Sequence, residues 1–346
     1  MTLRVGISPS GLERTGLDYV RDAERLGVDS VWTPEAWMYD ALTPLGYLAA
    51  ITERLRLAAG VVQLGARTPA MLAMSALAIQ KMSQGRFVLG IGTSGPQVME
   101  GWHGVPFHKP LARTAETIDI VRAIASGQRL SYEGDIYTLP LPDGQGRAIR
   151  SPVVGDGVHI PIHIASMGPA NLRLTGAKAD GWIGTAFTPE AADVFLEPIE
   201  QGAASAGRRL DDIELTVAVG LEFTEDIEAA GRKHAGGYAF TIGAMGSSST
   251  NFYNRAFRRQ GFGEAVDEVQ ALWSRGDREA AAQRVPIEIG LRTNLIGDDR
   301  SIADRLRLYC DVGIDNLRVG VAGETSTERL DQIARLLDIV SMVNAE

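Results

Sequence analysis

Eight short runs rich in β-branched and apolar residues alternate with longer segments of helical period along this chain. No other feature restricts the possible folds so strongly. Residues 2–7, 30–33, 55–63 and 86–91 read as the first four strands, and 160–165, 182–185, 213–223 and 316–321 as the last four. Segments 17–27, 44–53 and 69–85 read as helices between the early strands. In the second half helical stretches follow Pro169, Pro189, Ile227 and Ser301. Strands separated by helices make parallel βαβ units, and eight such units close into a barrel with a core of about 250 residues. The expected fold class is therefore α/β, a (β/α)8 TIM barrel. With 346 residues in the chain, the surplus must sit in insertions.

Two stretches interrupt the alternation and are the expected insertions. Residues 131–159, with YEGDIYTLPLPDG, have hairpin and turn chemistry, lie after the fourth helix and are placed to cover the active face. Residues 236–259 are rich in Gly, Ser and aromatics and follow the seventh strand, where barrel loops carry substrate contacts. Neither resembles a linker, and no shift in composition divides the chain, so 1–346 reads as a single domain. The competing doubly wound sheet asks for GxGxxG after the first strand, but that strand runs into GISPSGLERTG. The later LGIGTSGP follows the fourth strand and reads equally as a tight turn.

Composition narrows the partners. A formal charge of -9, with acids and bases spread along the chain, argues against nucleic acid. No run is long and apolar enough for a membrane span, and the opening residues lead straight into a strand without a basic and apolar leader. The single cysteine, Cys310, excludes a disulfide framework and fits a reducing cytoplasm. With no second cysteine and no close histidine and carboxylate spacing, a metal site is not expected. The partner left to expect is a small-molecule substrate.

GVDSVWTPEAW, RLRLAAGVVQLGARTPAMLA, MSQGRFVLGIGTSGP, GPANLRLTGAKADGWIGT and GDDRSIADRLRLYCDVGIDNLRVG together resemble the luciferase-like monooxygenase superfamily, in particular its deazaflavin-dependent branch. EGWHGVPF, KPLART and NFYN are similar to phrases of actinobacterial oxidoreductases, and the excess of arginine over lysine suits a GC-rich genome. The resemblance covers nearly the whole chain. It implies a flavin or deazaflavin held at the C-terminal ends of the strands, coenzyme F420 being favoured over FMN, and a homodimer.

The resemblance also implies particular residues. Gly60-Val61 matches the family's non-proline cis peptide, a bulge behind the tricyclic ring, although an ordinary barrel glycine reads nearly as well. Thr93, Ser94 and Gly95 suit contacts to the ring edge and linker. Ala165, Ser166, Met167 and Gly168 precede a helix at Pro169, where free N–H groups favour phosphate or simply form a cap. Gly184 and Thr185 complete the phosphate side. Arg67, Lys109 and Arg113 are available for the oligoglutamate tail of F420, with surface solvation as their plain alternative.

At the catalytic position the chain departs from its relatives. Many members carry an acid followed by histidine after the second strand, and here the matching pair is Glu35 and Ala36. The acid that dehydrogenase members carry after the fourth strand falls at Gly95. The acid or base that accompanies hydride transfer must then come from Glu35, Glu100 or His103. Glu35 ranks first because Trp32 and Trp37 beside it can raise a carboxyl pKa by desolvation, an ion pair beneath the barrel mouth being the alternative. His103 and His108 lie in a turn-rich loop where a solvated imidazole is the commoner case. Three functions remain open: hydride transfer with F420, oxygenation with reduced FMN, and a flavin-binding barrel without catalysis.

Overall fold

The computed structural model describes residues 2–245 and 251–346. Eight parallel strands close on themselves: β1 (Arg4–Ile7), β2 (Ser30–Thr33), β3 (Arg56–Ala59), β4 (Phe87–Gly92), β5 (Ile162–Ala165), β6 (Gly181–Gly184), β7 (Glu214–Phe223) and β8 (Asn316–Val321). Each pairs with the next, and β8 returns to β1 with Arg4 opposite Asn316 and Ile7 opposite Val319. The outer helices are α1 (Arg14–Leu26), α2 (Leu42–Ile51), α3 (Pro69–Met82), α4 (Pro110–Ala125), α5 (Pro169–Lys178), α6 (Asp193–Ser205), α7 (Asp299–Asp311) and α8 (Ser326–Asn344). Local chemistry starts several of them. Thr68 accepts from Met71 N just before Pro69, Asp298 accepts from Ser301 N, and Thr325 with Glu328 forms a capping box. The chain is the TIM barrel expected from its alternation. Among the described residues no helix is long and apolar enough to cross a membrane.

Three expectations need correction. The run 55–63 is not one strand: it breaks at a cis peptide between Gly60 and Val61 and resumes as Val62–Gln63, with Val62 opposite Ile91 of β4. The stretch 131–159 does contain an antiparallel hairpin, Tyr132–Glu133 with Thr138–Leu139. It lies against the flank of α4, where the Glu116 carboxylate accepts from the N–H groups of Asp135, Ile136 and Tyr137 at 2.7–3.1 Å, and it adds nothing to the barrel-mouth cavity.

The second insertion is helical. Helices Ile227–Gly237, Ala239–Ala244, Phe252–Phe257, Gly263–Ser274, Arg278–Arg284 and Ile287–Arg292 fill it, followed by a short strand, Leu295–Gly297, beside the end of β7. The Gly- and Ser-rich wording of 236–259 suggested a loop, but Asn251 caps Phe252–Phe257 by accepting from Asn254 N and ties back to Ile242 O at 2.7 Å. The aromatics Phe257 and Tyr238 pack into a core of the insertion's own. Residues 246–250 of that stretch lie outside the described residues.

Strand alternation sends Val31, Leu57, Leu89, Ile164, Val217 and Leu317 outward against the helices. Trp32, Ala58, Val88 and Ile183 meet inside the ring. The bulk there is Trp32 and His163, with ring centroids 6.1 Å apart. Glycines make room for them. A Cβ on Gly6 would come within 2.8 Å of Trp32 Nε1, and one on Gly181 within 2.5 Å of His163 Nε2.

Charges plug the N-terminal end of the barrel. Arg56 binds Glu214 through both terminal nitrogens at 2.8 and 2.9 Å, Arg4 reaches Glu214 at 3.3 Å, and Asp29 stands 3.7 Å from Arg56. Burial pushes the Glu214 carboxyl up, but the hydrogen bonds and charge of Arg56 outweigh it and leave the group below its usual value. Ligands must therefore enter from the C-terminal end.

Burial also lowers the His163 imidazole to about 4, so the ring inside the barrel is neutral at pH 7. The unfolded imidazole titrates near 6.5. Its stabilising effect is complete above that value and declines as pH falls toward 4, where folding must hold off a proton that the unfolded chain accepts. The wild type should lose about 3 kcal/mol across this window on account of His163, and H163Q correspondingly less. Urea unfolding at pH 7, 5.5 and 4.5 measures the two slopes, and parallel slopes would refute the assignment.

Candidate active site

At the C-terminal ends of the strands a cavity of about 230 Å³ opens between β1, β6, β7, β8 and the insertion. Its wall includes Ser8, Thr185, Ala218, Gly220 and Gly320, while Tyr238 and Asn294 come from the insertion. The inward positions at this level are almost all small. Arg318 of β8 is the exception: its Nη1 crosses the mouth and donates to Gly60 O at 3.1 Å. A Cβ on Gly60 would lie 3.0 Å from that nitrogen and 3.1 Å from Trp32 Cε3, so only bare backbone leaves room for the contact. Asn294 pins the insertion over β7, accepting from Gly220 N at 2.7 Å and donating to Gly290 O at 2.7 Å. Glu222, at the top of β7, accepts from Lys233 at 2.9 Å and bonds His234 Nε2 at 2.8 Å.

The three proton-transfer candidates meet different fates. Glu35 does not sit bare between tryptophans: Trp32 points into the barrel and Trp37 is 49% exposed. Its oxygens accept from Arg67 Nη1 and Nη2 at 2.8 and 2.7 Å, from Gln63 N at 3.0 Å and from Ala41 N at 3.2 Å. A carboxylate with four donors, two of them from a bidentate cation, is committed to structure. Arg67 is equally committed to it. Glu100 accepts from Phe107 N at 3.0 Å and shapes its own loop. His103 is bonded through Nε2 to Gln63 Oε1 at 2.8 Å, and Gln63 Nε2 donates to Glu35 O at 3.1 Å. That second bond orients the amide. Its oxygen therefore faces the imidazole, which must donate from Nε2, and Nδ1 is left as the acceptor of the neutral ring.

Of the cofactor candidates, Gly60-Val61 is cis and contacts Arg318. Thr93 and Arg113 share a narrow crevice with Leu64, Met99 and His108. Ser94 takes a left-handed φ of 56°, and Gly95 precedes the short helix Pro96–Met99 without a side-chain cap. Lys109 pairs with Asp135 at 3.2 Å and Arg113 donates to Tyr137 Oη at 3.1 Å, so both basic residues have intramolecular partners. At the end of β5, Ser166 bonds Thr175 at 2.8 Å and accepts Trp182 Nε1 on its carbonyl at 2.9 Å. Ala165 borders the barrel interior, Gly184 packs over the Trp182 ring, and Thr185 lines the cavity.

Gly168 begins α5 with no side-chain cap, and Arg259 of the insertion donates to Met167 O beside it. The Arg259 Nε is buried without a partner among the described residues. Free N–H groups at a helix start and an unfilled guanidinium donor together suit an anion. Sequence reasoning missed Arg259, Arg318, Gln63 and the Glu222 and His234 pair. Only Arg318 carried a signal, as a basic residue at an inward position near the end of a barrel strand.

Comparisons with known proteins agree with this geometry. Residues 7–316 match the model of the luciferase-like monooxygenase family. A protein of Mycobacterium tuberculosis assigned as a coenzyme F420-dependent oxidoreductase is 37% identical over 327 residues, 92% of this chain and 93% of that one. The 5,10-methylenetetrahydromethanopterin reductase of Methanolobus tindarius is 31% identical over 68% of this chain and 69% of its own. In three dimensions the chain is similar to the coenzyme F420-dependent tetrahydromethanopterin reductase from Methanopyrus kandleri, with a TM-score of 0.78, 20% identity, and 96% and 98% of the two chains covered.

Because Glu35 holds Arg67 and two backbone N–H groups, Glu35→Gln should lower unfolding free energy by about 3 kcal/mol, the lower end of the range for breaking one side of a buried pair. The pH dependence of turnover should keep its shape. A lost titration limb with unchanged stability would return Glu35 to the chemistry.

Proposed function

This chain belongs to the luciferase-like monooxygenase family, and we propose that it is a coenzyme F420-dependent oxidoreductase passing a hydride between the deazaflavin and a small organic substrate. The observation that carries the reading is the likeness, along nearly the whole chain, to a relative assigned to F420-dependent oxidoreduction. The residues suit the cofactor. A flat ring fits on the β3 side of the mouth, against the Gly60-Val61 bulge, and leaves the cavity beside Arg318 to the substrate. The phosphate fits the uncapped start of α5, where the unfilled Arg259 Nε waits. When bound, the deazaflavin supplies a hydride acceptor or donor that reacts poorly with oxygen.

The proton that accompanies the hydride goes to, or comes from, His103 Nδ1. Ala36 leaves the family's usual histidine position empty, but Gln63 is tied to Glu35 O, the residue next to it, and holds the His103 imidazole from another loop. Glu35 and Arg67 act as positioning residues by fixing Gln63 N and the β2 loop. The outward faces of α2 and α3 expose Tyr47, Met71, Met74 and Met82, an apolar surface suited to a second copy of the chain. The free Cys310 thiol fits a cytoplasmic location.

Thermal-shift titration of the cofactor-free protein should show stabilisation by F420 at micromolar concentration and little by FMN, since only a ligand of the folded state raises its melting point. Tight FMN binding with no response to F420 would support the oxygenase reading, and no response to either would leave a barrel without this chemistry. His103→Asn should lower turnover about 10²-fold, within the range for general acid–base groups, with the F420 Kd unchanged. Light scattering should give twice the 37.1 kDa chain mass, and a monomer would remove the dimer.

A further inference from the structure

Arg318 is half-buried at the barrel mouth, and the surface it keeps faces the cavity bounded by Ser8, Thr185 and Tyr238. Its protein acceptor is a neutral carbonyl, Gly60 O, and no described carboxylate forms an ion pair with it within 4.0 Å. Glu222, the acid at the top of neighbouring β7, is engaged by Lys233 and His234. The phenol of Tyr253 is near enough to sense the guanidinium charge, but buried phenols titrate high and stay neutral. The charged groups at the other end of the barrel make the contrast plain, because there Arg56 and Arg4 are matched by Glu214 and Asp29. A half-buried cation with no described counter-charge is partly desolvated, and an arriving anion can offset that cost.

We propose that the substrate carries a carboxylate and that Arg318 binds it on the cavity floor, beside the Gly60 bulge. One guanidinium presents a planar fork that fits one carboxylate in bidentate fashion, and a cavity of about 230 Å³ admits a compact acid of a few carbons. Gly220 and Gly320 line its wall without side chains. Arg318 is then a specificity determinant that orients the reacting end of the acid toward the ring face. The assignment of the reacting end rests on the F420 reading; the anion site itself does not.

The test uses crotonate and its neutral isostere crotonamide as probes, titrated calorimetrically into the wild type, R318M and R318K, each with and without F420. The wild type should bind crotonate at least tenfold more tightly than crotonamide. R318M should lose that preference while its F420 Kd moves less than threefold, and R318K should weaken crotonate three- to tenfold. No carboxylate preference in the wild type, a preference retained in R318M, or crotonate binding unchanged in R318K would overturn the proposal. Loss of F420 affinity in R318M without a change toward crotonate would assign the arginine to the cofactor. If R318M does not fold, the wild-type preference and R318K decide. If F420 fails to bind but the cofactor-free protein still prefers crotonate, the cofactor reading falls and the anion site stands.

Discussion

Everything at the mouth of this barrel depends on how its interior is filled. An eight-stranded ring leaves room for only a few layers of side chains, and here two rings, Trp32 and His163, take most of it. They fit because Gly6 and Gly181 present backbone where a Cβ would collide. Trp32 in turn lies against Gly60, and Gly60 receives Arg318. The floor of the cavity is thus the upper surface of the packed interior, and its shape follows from glycines several residues below it.

Charge is distributed unevenly along the barrel axis, and the asymmetry separates stability from function. At the N-terminal end Arg56 and Arg4 have carboxylate counter-charges in Glu214 and Asp29. At the C-terminal end Arg318 donates to a carbonyl oxygen and has no carboxylate partner among the described residues, and the Arg259 Nε has no partner among them. Burial pushes both guanidinium groups down from their ordinary values. Folding alone gives no return for such groups, whereas an anionic cofactor or substrate does.

The loop after β2 is braced by one carboxylate. Glu35 locks Arg67, Gln63 and Ala41. Gln63 then becomes the link between that loop and His103, and its amide can point only one way because Glu35 O takes its N–H. The carboxylate that reads as a proton carrier is held by Arg67 and two backbone N–H groups, and the imidazole that reads as a solvated loop residue is held by Gln63.

Period and punctuation in the sequence determined the ring of strands, the helix starts at Pro69 and Pro169, and the two insertions, because alternation and capping are local properties of the chain. The match of GVVQ to the family wording also placed the bulge at Gly60-Val61, which is cis. What lay beyond the sequence was pairing at long range. Glu35 finds Arg67 across 32 residues, Arg56 finds Glu214 across 158, and Arg318 finds Gly60 across 258. The helical insertion escaped for a related reason: its glycines and serines argue for loop, and only its packing into a core around Phe257 and Ile242 overrides them. Local propensity reports what each segment prefers alone, but whether a charge is matched or left for a ligand is decided when ring closure brings distant strands side by side.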